Sequence, residues 1–269
     1  MTIKVELIDL PLQTMGSQKL YIDFLTNPAH YPGAVADVEH IETHISHIFL
    51  AGDFAYKLKK AIKLPFLDFS DDQKRKQYVF YELELNQRYA KPIYLEVTAV
   101  SLRTRKVTWG DNGNCPEYIL KMRRFQQQEL FSELVQSGKL TTDLVTRLTE
   151  KIASFHSSAE CAPDSFSPEV FEHLAFDCVN ILNGVKPGGI VPGKELVCSL
   201  RQEFERQKLF ISQRQKTHVK RLHGDLHLAN ICCFKGEPFP FDGLEFNEEY
   251  ARIDGIADLA FLLMDLWYE

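Results

Sequence analysis

Three side chains in the last fifth of the chain carry groups that phosphate chemistry requires. The stretch HGDLHLAN sets Asp225 and Asn230 five positions apart, and FPFDGLEF puts Asp242 seventeen residues after Asp225. A carboxylate can accept the proton of an attacking hydroxyl. An amide oxygen and a second carboxylate can hold Mg2+, a hard cation that takes oxygen ligands, against a nucleotide's phosphates. A lysine from elsewhere in the fold would steady those phosphates. A loop bearing Asp and Asn, beside a strand-turn bearing another Asp, can bring such groups around one metal.

The elements that must position them fall into two groups. A short helix near 17–25 is followed by the breaker NPAHYPG, then by strands in VEHIETHISHIFL and FAYKLKKAI, joined at AGD. DFSDDQKRKQYVFYELELNQRYAKP reads as a helix, with Ser70 and Gln73 as a capping box, Asp71 and Asp72 at its positive end, and Pro92 beyond its close. The strands IYLEVTAVSL and EYILKMRRF follow, joined by the turn-rich GDNGNCP. Beyond Phe125 the pattern turns helical. Apolar positions 140, 144, 145, 148, 152 and 155 share one face, and SPEVFEHLAFDCVNIL opens with Ser167 as N-cap and Pro168 at the first helical position. A helix near 195–214, short strands in RLHGDLH and FPFDGLEF, and a closing helix from about Ile253 complete the reading. Residues 1–125 thus form a sheet-rich lobe and 126–269 a helical one, with a hinge at KMRRF.

In type, spacing and order, HGDLHLAN and FDG resemble the catalytic-loop and metal-loop motifs of the aminoglycoside phosphotransferase-like branch of the protein-kinase-like superfamily. The resemblance implies an α+β, two-lobed protein-kinase-like fold: an N-lobe of antiparallel sheet with one helix, and a mainly helical C-lobe. It implies ATP and Mg2+ as cofactors, Asp225 as catalytic base, Asn230 and Asp242 as metal ligands, and His223 as an internal brace of the loop. FAYK is similar to the V-A-I-K pattern of kinases, which makes Lys57 the expected nucleotide lysine. Lys59 shares its strand face and is the alternative, while Lys60 points away. The lysine's partner is expected on the following helix at Glu82 rather than Glu84, because Leu85 and Tyr89 follow Glu82 at helical spacing. Asp258, in DGIADLAF, resembles the aspartate that opens a helix and braces the catalytic loop from beneath. His227 occupies the place of a phosphate-touching lysine and reads as a loop filler. No Gly-rich loop is present. ETHISHIFLAGD would cover the phosphates, with Thr43 and Ser46 supplying hydroxyls and N–H groups, and Met122 at the hinge completes the expected ATP-binding set.

ETHIS, AGDFAYKLKK, LPFLDFS and FDGLEFN together resemble the N-terminal halves of bacterial two-part proteins whose C-terminal half is a P-loop ATPase or kinase. That implies a covalently linked or associated P-loop ATPase domain as partner. Only eleven residues follow Asp258, where family members continue with further helices, so the fold is expected to be truncated at its C-terminus.

Composition narrows the classes. A net charge of −6 over 269 residues offers no electrostatic footprint for nucleic acid. The longest apolar runs fall short of the roughly 20 residues a membrane span needs. The N-terminus lacks a signal peptide's apolar stretch, and six scattered cysteines without a CxxC pair read as reduced and cytoplasmic. GGIVPGK, at 188–194, imitates a P-loop but has Glu195 where Ser or Thr must stand. His40, Glu42, His44 and His47 imitate a zinc site with no closing ligand. The resulting expectation is a Mg2+–ATP-dependent phosphotransferase acting on a small hydroxyl compound. Glu245, Glu248 and Glu249 beside the metal loop would suit a cationic acceptor such as an aminosugar. The rival is a nucleotide-binding regulatory module that no longer transfers phosphate and tunes an attached ATPase. A protein kinase ranks last, because only residues 243–253 are available for an activation segment.

Overall fold

The computed structural model describes residues 15–64, 66–103, 106–111, 116–162, 169, 172 and 194–268. Of the helix expected from Ser167 and Pro168 only Glu169 and Glu172, and of GGIVPGK only its last residue, lie within them.

Period-two alternation governs the first lobe. In β3 (Phe54–Lys59) it sends Lys57 and Lys59 to one face of the sheet and Tyr56 and Leu58 to the other. With β1 (Val38–Glu42), β2 (Ser46–Ala51), β6 (Tyr94–Arg103), β7 (Lys106–Trp109) and β8 (Glu117–Arg123), it forms an antiparallel sheet in the order β1-β2-β3-β8-β6-β7. A small hairpin, β4 (Lys63–Leu64) with β5 (Leu67–Asp68), stands apart. Strand β7 was not anticipated in the connection between β6 and β8. Its Val107, Thr108 and Trp109 are residues that favour an extended edge, and they pair with Leu102, Ser101 and Val100.

One sheet face is sealed by α1 (Met15–Leu25), whose Tyr21, Phe24 and Leu25 pack on Phe49, Tyr56, Leu58 and Ile119. Against the other face lies α2 (Asp72–Ala90). Its N-cap is Asp71, not Ser70. The Asp71 carboxylate accepts the N–H groups of Gln73 (2.9 Å) and Lys74 (3.1 Å), while the Ser70 hydroxyl donates to Asp68 (2.6 Å). A charged carboxylate one residue nearer the positive helix end displaces the serine.

The second lobe contains α3 (Phe131–Gln136), α4 (Thr142–Ser158), α5 (Lys194–His218), β9 (Val219–Arg221), β10 (Ile231–Phe234), β11 (Glu237–Pro240), α6 (Glu248–Ala251), β12 (Arg252–Asp254) and α7 (Gly255–Tyr268). β10 pairs with β11, and β9 with β12. The closing helix therefore starts at Gly255, because Arg252–Asp254 is held as a strand against β9. Two apolar clusters fix the site. Val79, Ile93, Tyr94 and Leu120 from the first lobe meet Leu130, Cys232 and Phe234 from the second. Phe131, Leu148, Ile152 and Leu262 support Leu226, Leu228 and Ile231 of the motif loop. Each such large side chain, when fully buried, contributes about 1.5–3 kcal/mol. Among the described residues no helix is long and apolar enough to cross a membrane.

Candidate active site

The loop after β9 is shaped by close packing and by one buried carboxylate. Gly224 has φ +80°, and a Cβ there would come within 3.0 Å of Leu244 Cβ and 3.2 Å of Ala251 Cα. Its N–H donates to Asp258 Oδ1 (2.8 Å), while His156 Nε2 donates to Asp258 Oδ2 (2.8 Å). Asp258 is fully buried beneath the loop. His223 is buried beside it. Its Nε2–H donates to the Phe241 carbonyl (3.0 Å) and its Nδ1 accepts the Asp225 N–H (3.3 Å), which requires the neutral ring. Burial lowers its pKa in agreement with that tautomer. From α7, Asp265 takes the Leu228 N–H (2.9 Å). Asp225 at the loop's tip keeps a side chain 46% exposed.

Asn230 and Asp242 are brought to this tip from adjacent segments. The Phe241 N–H donates to the Asn230 carbonyl (2.9 Å), and the Leu244 N–H to the His223 carbonyl (2.8 Å). Asn230 Nδ2 donates to the Asp225 carbonyl (3.0 Å) and to its Oδ2 (3.1 Å). That orientation leaves the amide Oδ1 as the atom free to meet a cation. Asp242 sits in the left-handed region at φ +59°, which a short polar side chain tolerates better than most. First-lobe residues hold it there. Tyr94 OH accepts the Asp242 N–H (2.9 Å), and Asn86 Oδ1 accepts the Gly243 N–H (2.9 Å). A Cβ on Gly243 would lie 1.6 Å from Tyr89 OH, so only glycine fits. Burial pushes the Asp242 carboxyl up, but Lys57 more than offsets this and holds it below the ordinary carboxylate value. The oxygens of Asn230 and Asp242 are a hard donor set that suits Mg2+, which is held by few carboxylates together with phosphates and water.

Both lysines of β3 turn inward to α2. Lys57 Nζ lies 2.7 Å from Glu82 Oε1 and 2.5 Å from Asp242 Oδ1. Lys59 Nζ lies 2.6 Å from Glu82 Oε2 and also bonds Glu245. Burial alone would depress both ammonium pKa values. The carboxylates of Asp242 and Glu82 around Lys57, and of Glu245 and Glu82 around Lys59, raise them instead and keep both groups charged. Glu82 is fully buried while Glu84 is exposed, which separates the two sequence candidates. Lys60 turns to the other side and pairs with Glu42 (2.6 Å).

Other expected residues are placed differently. Ser46 lies opposite Lys59 in the β2–β3 pairing, completely buried, and its hydroxyl has no hydrogen-bond partner. It does not offer that hydroxyl to an open cleft. Thr43 is occupied by the turn, its Oγ1 accepting the Ser46 N–H (3.0 Å). Met122 on β8 pairs with Ala55 and packs in the interlobe cluster. Of the acids expected to draw a cationic acceptor, Glu245 is 3% exposed and bound to Lys59. Glu248 is engaged by Tyr81, Arg221 and Arg252. The buried Lys59 claims Glu245, while Glu248 keeps a 42% exposed side chain whose charge is offset by Arg221 and Arg252. Sequence reading missed Asn86, Tyr94 and the role of Glu245. The signal for Asn86 was its i+4 spacing from Glu82, which puts both on one helix face. His227, set aside as filler, has Nε2 3.5 Å from Asp225 Oδ2.

No known protein-family profile matches the chain. Over 235 residues it is 29% identical to an uncharacterised protein of Mycobacterium tuberculosis, covering 84% of this chain and 45% of that protein. The chain thus spans about half the length of the curated relatives it matches. Among solved structures it is similar to a choline/ethanolamine kinase family protein from Mesorhizobium loti, with TM-score 0.53 and 14% identity, over 93% of this chain and 72% of that one. It is also similar to choline kinase from Cryptosporidium parvum, with TM-score 0.52 and 13% identity, over 91% of this chain and 68% of that one. The antiparallel sheet lobe, the helical lobe and these likenesses together establish that the chain has the two-lobed protein-kinase-like fold.

Proposed function

We propose that the chain is a Mg2+–ATP-dependent phosphotransferase that moves the γ-phosphate to a hydroxyl of a small molecule. The observation that carries this reading is the convergence of Lys57, Glu82 and Asp242 from three separate elements beside the Asp225–Asn230 loop. In this reading Asp225 accepts the acceptor's hydroxyl proton, and its solvent-facing carboxylate leaves room for that partner. Asn230 Oδ1 and Asp242 hold the cation, and Lys57 steadies the nucleotide phosphates with Glu82 aligning its ammonium. Mg2+ held there would supply charge neutralisation for the transferring phosphate. The kinases that share the fold act on small molecules by their names, which supports a small-molecule acceptor here.

Two of the three acids beside the metal loop, Glu245 and Glu248, are paired with Lys59 and Arg221, so they do not support a preference for a cationic acceptor. The resemblance of ETHIS, AGDFAYKLKK, LPFLDFS and FDGLEFN to the N-terminal halves of two-part bacterial proteins, and a chain that spans about half of its curated relatives, support a P-loop ATPase domain as a linked or associated partner. The regulatory-module reading draws on the enclosed Ser46 and the missing glycines, but the complete set of Asp225, Asn230, Asp242, Lys57 and Glu82 favours transfer. The test is ATP consumption by the purified chain with fractionated small metabolites and Mg2+. Turnover that depends on a single fraction supports the phosphotransferase. ATP binding with no fraction-dependent turnover would favour the regulatory module.

A further inference from the structure

We propose that Lys59 and Glu245 form a latch that keeps the metal loop docked on the first lobe when Lys57 leaves Asp242, and so set how tightly the site takes a Mg2+–nucleotide. This deepens the phosphotransferase reading and rests on it. Lys57 bonds Asp242 Oδ1 directly, yet Asp242 is the carboxylate that a cation would need. A cation at Asp242 competes with the Lys57 ammonium for the same negative charge, and Lys57 is also the group that meets the phosphates, so the Lys57–Asp242 contact weakens as the site fills. The loop would then lose its main ionic tie to the first lobe at the moment its position matters.

A second tie is already in place. Lys59 stands two residues along the same strand face and takes the other oxygen of Glu82, so one buried carboxylate is the hub of both pairs. Its second partner, Glu245, lies three residues after Asp242 on the same loop. The Lys59 and Glu245 side chains are 1% and 3% exposed, too enclosed to touch a nucleotide. They act through Asp242 and are positioning residues. The strand that carries Lys59 is itself pinned by α1. Gln18 Nε2 donates to the Lys59 carbonyl (2.9 Å), and Gln18 Oε1 accepts the Ala61 N–H (2.7 Å). The latch therefore joins a fixed strand to the loop, while Lys57 is the member free to change partners. A merely structural pair would affect stability but not the metal dependence of binding.

Fluorescent-nucleotide titrations with and without Mg2+, run beside thermal melts, separate the two. The variants are Glu245→Gln, which keeps the side-chain shape, and Lys59→Met/Glu245→Leu, which removes both charges together. In both, the gain in nucleotide affinity on adding Mg2+ is expected to fall by about 10-fold or more, the usual effect of removing a group that orients a metal ligand. Metal-free nucleotide affinity should stay as in the wild type. A folded variant with the wild-type Mg2+ response would overturn the latch. Failure of both variants to fold would reduce the pair to a structural element and overturn it equally. Absence of Mg2+–nucleotide binding by the wild-type chain is a separate result, which defeats the phosphotransferase reading and the latch with it.

Discussion

At the scale of single residues, the buried charges decide what the site tolerates. Glu82 neutralises two enclosed ammonium groups, so Glu82→Gln should destabilise the chain by about 3–5 kcal/mol, as removing one partner of a buried pair does. Glu84→Gln, on the exposed side of the same helix, should stay within about 0.5 kcal/mol. Urea unfolding of both variants checks the contrast, and equal effects would refute the assignment. His227 makes a pH prediction. The Asp225 carboxylate 3.5 Å away raises its pKa above the ordinary 6.5 despite burial, with Asp265 and Asp242 adding to the pull. The protonated ring therefore favours the fold. Its contribution is fully present below 6.5 and is lost as pH rises through the raised value. The stability difference between wild type and His227→Gln should shrink over that rise; a difference that does not change with pH would contradict the pairing. That Asp225, Asn230 and Asp242 come together was legible because their spacing is local to two short segments. The Lys59–Glu245 pair spans 186 residues of sequence and was not. Glutamates are so seldom buried that Glu245 was read as surface charge.

At the scale of elements, alternation and breakers located β1, β2, β3, β6 and β8 of the first sheet and the helix α2, while the edge strand β7 went unread. What they missed were places where two adjacent residues compete for one role. Asp71 and Ser70 were both plausible caps, and the structure chooses Asp71. Asp71→Ala should lower stability by about 1 kcal/mol, while Ser70→Ala leaves the cap intact; thermal melts of the two tell them apart. The metal loop shows the opposite case, in which a single glycine is dictated by a side chain far away in sequence. Gly243→Ala would drive a methyl group into Tyr89 OH, and overpacking of this kind costs about 1–3 kcal/mol. Because the same movement displaces Asp242, Mg2+-dependent nucleotide binding should weaken more than stability does. A Gly243→Ala chain with unchanged Mg2+ response would show that the loop is not held as described. Nothing in the sequence pairs Gly243 with Tyr89, since the contact depends on how α2 seats against the second lobe.

At the scale of the whole molecule, the two lobes share an apolar cluster and the metal loop is gripped by residues of the first lobe. Lys57, Asn86 and Tyr94 all reach the loop at Asp242 or Gly243. Thermal unfolding should therefore appear as one cooperative transition by both near- and far-UV circular dichroism; two separated transitions would mean that the lobes are energetically independent. The two-lobed architecture was legible from the change of periodicity near Phe125, and the seam between the lobes was not, because it is built from contacts with no sequence signature. The central claim is that Asp225 is the base of a phosphoryl transfer, and it is tested most directly by comparing turnover of Mg2+–ATP in the wild type and in Asp225→Asn, with nucleotide affinity measured on both. The account predicts that turnover falls by about 10²–10⁴-fold while nucleotide affinity is retained. Equal turnover in the two proteins would contradict it.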